Sequence, residues 1–222
     1  MLSFEETVRL RHSPRAFLPT PLTDAQINEV LQDAQYAPSN CNSQPWHVHI
    51  VSGETKQALT QAMLRNDEMG KASLDFSFDY ADFSGDYFTR SQDQAKQYYE
   101  VLGIARDDKA QRHEAFLRNY AFFGAPHAAF LFMPSVGDNV RVAGDIGMYA
   151  QNFLLSLAAR GYAGIPQTLL GFHADTVREM LGVSDNYRLL FGISFGYEDP
   201  DARANRLRMD RIPVEQSVVF HQ

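Results

Sequence analysis

The run His127-Ala128-Ala129-Phe130-Leu131-Phe132-Met133 is short, apolar and uninterrupted by charge. It is too short for a packed helix, and a membrane span needs about 20 apolar residues, so it reads as a buried strand. Downstream, Arg141 to Arg160 carries Val142, Ile146, Tyr149, Phe153 and Leu157 at helical spacing, which predicts the longest helix of the chain. Gly161 ends that helix. Around this pair, strands are expected over Trp46–Ser52, Tyr162–Leu169 and Asn186–Gly196. Helices are expected from Ser3 to Leu10, from Thr23 up to Pro38, and over Glu54–Arg65, Ser91–Leu102, Asp107–Phe122 and Ala174–Leu181. Ser3 can cap the first, with Glu5 and Glu6 in its opening turn, and Thr23 with Gln26 forms a capping box for the second.

Helices and strands alternate through one core without repeats or low-complexity linkers, so residues 1–222 are expected to form a single domain of α+β or α/β class. Residues 70–90 show no clear period and read as an irregular excursion. The tail from Glu198 is polar and basic up to Pro213 and ends in strand-like Ser217–Phe220. An apolar strand at the end of a long tail needs something to pack on, and a second subunit is one natural answer.

Composition narrows function. The chain has 222 residues, 45% hydrophobic and 21% charged, close to globular averages, which argues against a disordered or coiled-coil protein. Lys plus Arg is 20 against 27 for Asp plus Glu, a net charge of −7 that disfavours general nucleic-acid binding. One cysteine, Cys41, rules out an intrachain disulfide. The N-terminus shows no signal peptide, and the expected location is cytoplasmic, with no membrane partner. The seven histidines are scattered, so no metal site is expected. Walker A, HExxH, GxSxG and paired CxxC motifs are absent, as is a Gly-rich dinucleotide fingerprint after a strand. Cys41 lies near His47 and His49, but those histidines are expected on one face of a strand, and a lone cysteine is usually inert packing.

Four segments could carry chemistry. Arg11, Ser13 and Arg15 place two guanidiniums and a hydroxyl at a helix-to-loop break, suited to a phosphate. Asn205, Arg206, Arg208 and Arg211 form a basic patch in an acidic chain. Each alone reads first as a solvated surface segment; together they suggest one anion held by both chain ends. The loop Pro38-Ser39-Asn40-Cys41-Asn42-Ser43-Gln44-Pro45-Trp46 packs amides and hydroxyls between prolines, as a plain turn would or as a heterocycle edge would require. Gly164-Ile165-Pro166-Gln167-Thr168 offers a rigid backbone with free N–H groups after a strand.

Six pieces in order, RHSPRAF, APSNCNSQPW, the stretch from FFGAP to LFM, GIPQTLLG, LLFGISFGYEDPDA and NRLRMDRIPVEQSVVF, resemble the nitroreductase family of FMN-dependent oxidoreductases, in particular its nitrobenzoate-reductase-like branch. The resemblance implies an α+β nitroreductase-like fold, with a central, mainly antiparallel sheet flanked by helices. It implies a homodimer with tightly bound FMN at the interface and a tail, residues 198–222, wrapping the partner. Arg11, His12, Ser13 and Arg15 match the first phosphate-binding segment, and Arg208 and Arg211 the C-terminal one. Pro38, Ser39, Asn40, Asn42 and Gln44 match the loop brought to the flavin from the other subunit, and Pro166, Gln167 and Thr168 the segment facing its ring. The implied activity is ping-pong transfer of hydride from NAD(P)H through flavin N5 to nitroaromatics, quinones or similar small electron-poor acceptors, with no catalytic side chain. Flavin or enone reduction, heterocycle oxidation and a non-catalytic flavin sensor or carrier are the alternatives. Gln167-Thr168 departs from the Gly or acidic residue common there, and residues 70–119 resemble the branch only loosely, a helical excursion near the substrate entrance.

Overall fold

The computed structural model describes residues 2–222. It contains seven α-helices among the described residues: α1 (Phe4–Leu10), α2 (Asp24–Ala34), α3 (Gly53–Glu68), α4 (Gly85–Leu102), α5 (Lys109–Leu117), α6 (Val140–Ala159) and α7 (Ala174–Leu181). Four strands, β1 (His47–Ser52), β2 (His127–Pro134), β3 (Ala163–Gln167) and β4 (Tyr187–Gly196), form one sheet in the order β1-β2-β4-β3. Every pairing in it is antiparallel.

The central strand β2 explains its own sequence. Its side chains alternate, yet both faces are covered, so every position from His127 to Met133 is buried. Ala128, Phe130 and Phe132 pack with Val51, with Leu59 and Met63 of α3 and with Val177 of α7. Ala129, Leu131 and Met133 pack on the other face with Ile27 and Val30 of α2 and with Ile146, Tyr149 and Phe153 of α6. Polar alternation would have exposed one face; the unbroken apolar run requires two helical layers. Gly192 of β4 lies at the tightest approach. A Cβ there would stand 2.5 Å from Leu170 Cδ1 and 3.3 Å from the Ala129 carbonyl oxygen.

Local signals were reliable at the starts of α1 and α2. Ser3 and Glu6 close a capping box on α1, as Thr23 and Gln26 do on α2. His47 and His49 share one face of β1, their ring centroids 4.8 Å apart. Four expectations change. Helix α4 starts at Gly85 rather than Ser91, so the irregular excursion is shorter. Helix α5 stops at Leu117 rather than Phe122, because Phe122 and Phe123 adopt φ of 54° and 53°, outside the helical region. The strand expected to Leu169 ends at Gln167 and passes into a 3-10 segment. Ser217–Phe220 is not a strand; it is exposed and pairs with no strand of this chain, and an isolated segment cannot satisfy a ladder alone.

The excursion after α3 is tethered rather than loose. Ser73 N–H donates to the Phe172 carbonyl at 2.8 Å, and the Ser73 carbonyl accepts from Ala174 N–H at 2.8 Å. Asp75 then accepts from Arg178, from Arg188 Nη1 at 3.1 Å and from Leu189 N–H at 2.7 Å. The Asp75 and Arg178 side chains are only 5% and 7% exposed, so neither charge can fall back on water.

Asp75→Ala should therefore destabilise the fold by about 1–3 kcal/mol, because it removes the buried acceptor shared by Arg178, Arg188 and Leu189 N–H and leaves Arg178 only exposed carboxylates. Urea denaturation reads this, and an unchanged midpoint would refute the tether. A second expectation concerns acid. Burial holds the imidazoles of His49, His127 and His173 below their ordinary pKa. His127 Nε2 accepts from Leu22 N–H at 2.9 Å, which requires that nitrogen unprotonated. The unfolded chain binds these protons more readily, so stability is complete above the unfolded histidine pKa of about 6.5 and is lost as pH falls below it. The thermal midpoint should drop between pH 7.5 and 5.5; a flat profile would contradict neutral buried imidazoles.

Candidate active site

The two chain ends meet. Past Arg11 the backbone runs antiparallel to residues 197–199. Leu18 N–H donates to the Tyr197 carbonyl at 2.8 Å, Asp199 N–H to the Ala16 carbonyl at 3.2 Å, and Phe17 bridges Glu198. His12 sits between two oxygens, its Nδ1 3.0 Å from the Leu10 carbonyl and its Nε2 3.0 Å from Glu198 Oε1. The buried Asn205 joins the strands again, accepting from Arg15 N–H at 2.7 Å and donating to the carbonyls of Ala16 and Asp199, each at 2.8 Å.

This pairing gathers cations. The Arg11 guanidinium is held below its ordinary pKa by burial and then by the charge of Arg211. Arg11, distant from Arg211 by two hundred positions in sequence, is therefore its electrostatic neighbour in space. Arg11, His12, Glu198 and Arg208 wall a cleft of about 330 Å³ with Ala158 and Gly164. Arg208 Nη1 donates to the Asn205 carbonyl at 2.6 Å, and Arg211 Nη1 to the Met209 carbonyl at 2.9 Å. Among the described residues, Arg11, Arg15, Arg208 and Arg211 form no ion pair with any carboxylate. Glu198 in the same wall is engaged by His12, so neither Arg11 nor Arg208 has a carboxylate bonded to it, and an oxyanion with several acceptors would satisfy both. The donor set fits a phosphate.

Arg15 points elsewhere. Its guanidinium carbon lies 4.8 Å from the ring centroid of Tyr98 on α4, and its carbonyl accepts from Arg118 Nη2 at 2.7 Å. Burial lowers the Arg15 pKa. The Tyr98 hydroxyl is buried without a hydrogen-bond partner. Tyr98 and Arg118 thus hold Arg15 in place, and no spacing marked them. They fall in the region between residues 70 and 119 that carried no motif, and only packing brings them to Arg15.

Ser13 is half-buried, and its carbonyl accepts from Arg15 Nη1 at 3.3 Å. The loop Pro38–Gln44 is almost wholly exposed, and Cys41, Asn42 and Gln44 take φ of 51°, 54° and 47°, a costly left-handed backbone for such residues. Ser39 Oγ accepts from Gln44 N–H at 3.0 Å, and Asn40 N–H donates to Asp145 Oδ1 at 3.1 Å. That anchors the loop on the N-terminal half of α6, whereas the arginine cleft abuts Leu154 and Ala158 on its C-terminal half. The structure therefore does not bring this loop to the cleft within one chain.

Pro166, Gln167 and Thr168 divide. Pro166 and Thr168 are exposed, with Pro166 on the edge strand where a missing N–H is tolerated. Pro166 and Gln167 are themselves paired, with Ile193 and Gly192, so the backbone lies in the strand rather than after it. The Gln167 side chain turns inward. Its Nε2 donates to the Asn119 carbonyl at 3.1 Å, and its Oε1 accepts from the Ser194 hydroxyl. That side chain is spent on the fold. Beside Thr168, a second cavity of about 290 Å³ is lined by Leu74, Phe76, Phe78, Phe172 and Phe191, with no charged group in its wall.

The fold is a sheet-centred α+β fold with a cleft walled by arginines between its chain ends, and comparison with known proteins identifies its family. The Nitroreductase family profile matches residues 8–197. The chain is 39% identical over 216 residues to nitroreductase NfnB of Mycolicibacterium smegmatis, covering 97% of this chain and 92% of the relative. It is 33% identical over 215 residues to a 4-nitrobenzoate reductase of Pseudomonas putida, covering 94% and 91%. It superposes, with a TM-score of 0.94 and 38% identity, on the crystal structure of the FMN-dependent nitroreductase NfnB from Mycobacterium smegmatis in complex with NADPH, covering 98% and 97% of the two chains. The chain belongs to the nitroreductase family, and among the described residues no helix is long and apolar enough to cross a membrane.

Gln167→Leu should cost about 1–3 kcal/mol of stability, because it leaves the buried Ser194 hydroxyl and the Asn119 carbonyl unpaired. A variant that melts with the parent would place that side chain outside the core network.

Proposed function

We propose that the chain is an FMN-dependent NAD(P)H oxidoreductase that reduces nitroaromatics, quinones or similar electron-poor acceptors. The observation that carries this reading is that Arg11 and Arg208, from opposite chain ends, stand in the wall of one cleft, and neither is ion-paired to a carboxylate among the described residues. FMN offers the matching phosphate, and the relatives described above are named as nitroreductases, one of them FMN-dependent and bound to NADPH.

In this reading Arg11, Arg208 and Arg211 hold the phosphate, and Ser13 offers a hydroxyl beside them. When bound, FMN supplies the redox chemistry, taking up and passing on hydride equivalents. The protein binds, orients and excludes water. Arg15, held over the ring of Tyr98, keeps a desolvated positive charge beside the N-terminal turn. Pro166 and Thr168 present the edge of β3, while Gln167 fixes that edge through Ser194 and Asn119. The uncharged aromatic cavity beside Thr168 suits a flat, apolar acceptor.

A homodimer completes the site. The loop Pro38–Gln44 is exposed and anchored away from its own cleft, so a second copy is the source that can bring its amides to the ring. Apolar side chains also lie bare on this chain, among them Phe4, Leu10, Val214, Val219 and Phe220, and a partner surface would cover them.

The test is a visible spectrum of the purified protein, followed by anaerobic addition of NADH and NADPH and then a nitroarene. Bleaching of a flavin band by either nucleotide, and its return with the nitroarene, is expected. Arg11→Ala and Arg211→Ala should each weaken FMN binding by about tenfold or more. A flavin band that neither nucleotide bleaches would favour a carrier or sensor, and a protein that refuses FMN would defeat the proposal.

A further inference from the structure

The arginines at the two chain ends do not hold themselves in place. Arg11 and Arg15 flank a turn near the N-terminus, and Arg208 and Arg211 lie on an exposed tail without helix or strand. Something must fix the distance between the two segments, and one side chain is built to do so. Asn205 is 5% exposed. Its Oδ1 accepts from Arg15 N–H at 2.7 Å, and its Nδ2 donates to the Ala16 carbonyl and to the Asp199 carbonyl, both at 2.8 Å. Both amide hydrogens are used, so this side chain has no donor left for a ligand. Its own carbonyl is the perch for Arg208 Nη1 at 2.6 Å. One residue therefore ties the backbone of the N-terminal anion segment to the guanidinium of the C-terminal one. The His12–Glu198 contact at 3.0 Å runs between the same two segments and braces it.

We propose that Asn205 is the positioning residue of the phosphate subsite: it does not touch the anion, but sets the spacing at which the arginines from the two chain ends close on it. This rests on the reading of the cleft as the FMN phosphate site. The consequence is selective. A phosphate must bridge both segments, whereas the ring is served by the β3 edge and the loop Pro38–Gln44. Loss of Asn205 should then remove the contribution of the phosphate and leave that of the ring.

Riboflavin, which lacks the phosphate, separates these contributions. Apo-protein from the parent and from Asn205→Ala would be titrated with FMN and with riboflavin, following flavin fluorescence, with thermal melts run beside them. The parent should bind FMN much more tightly than riboflavin. Asn205→Ala should weaken FMN by about tenfold or more and leave riboflavin binding unchanged. Asn205→Ser keeps a hydroxyl in the buried position and should show the same selective loss, smaller in size, if the alanine variant melts too low to assay. Equal loss for both ligands in both variants would mark Asn205 as general scaffold, and no loss for either would make it dispensable; each overturns the proposal. A parent that binds FMN no better than riboflavin fails differently, because it removes the phosphate reading of the cleft and the role of Asn205 with it.

Discussion

Burial of β2 on both faces is the constraint on which the rest depends. A strand of that composition cannot leave either side to water, so α3 and α7 must cover one face while α2 and α6 cover the other. Two helical layers around one small sheet leave few places for the chain ends. They emerge together where β4 finishes, and there Ala16–Leu18 pairs with Tyr197–Asp199. The cleft walled by Arg11 and Arg208 is a product of that meeting. It lies against the C-terminal half of α6 and the start of β3, on a wall that the core keeps rigid.

The cleft is an electrostatic arrangement more than a chemical one. No side chain near it is arranged as a nucleophile with its base. Cys41 is exposed on its loop, and His12 is occupied by Glu198 and the Leu10 carbonyl. What the fold supplies is a set of guanidiniums, some desolvated, whose natural carboxylate partners are missing. Elsewhere in the molecule the same residue type is used differently. Arg178 is buried against Asp75 and Asp175, and Arg160 pairs with Asp33 at 2.6 Å. Those paired arginines hold the scaffold, whereas Arg11, Arg15, Arg208 and Arg211 at the chain ends pair with no carboxylate among the described residues. In the flavin reading this division fits a protein that positions a cofactor and leaves the redox step to it.

The excursion between α3 and β2 belongs to the site for the same reason. Asp75 pins its first part to α7 and β4, and α4 then lies over the N-terminal turn so that Tyr98 meets Arg15. The aromatic cavity beside Thr168 takes Phe76 and Phe78 from this segment. A stretch with the least regular sequence thus supplies an apolar wall and an aromatic support to the most polar part of the molecule.

Much of this was legible residue by residue. Capping boxes, the β2 run, the α6 stripe and the shared face of His47 and His49 are local, because each depends on a few neighbouring side chains and a fixed period. The arginine clusters were also visible, although sequence alone could not place them together. Tyr98, Arg118 and the central role of Asn205 were not legible, because their partners lie far away in the chain and no spacing records a tertiary contact. Nor could the sequence tell that Gln167 faces inward between exposed neighbours, since the alternation of an edge strand has two phases and packing selects one. By itself the sequence determined most of the helices and the four strands of the sheet, and which residues carry charge, as these follow from local sterics and hydrophobic period. Only the tertiary structure decided which charges meet, which are left without a partner and which side chain holds them apart, because electrostatic pairing depends on distance in space.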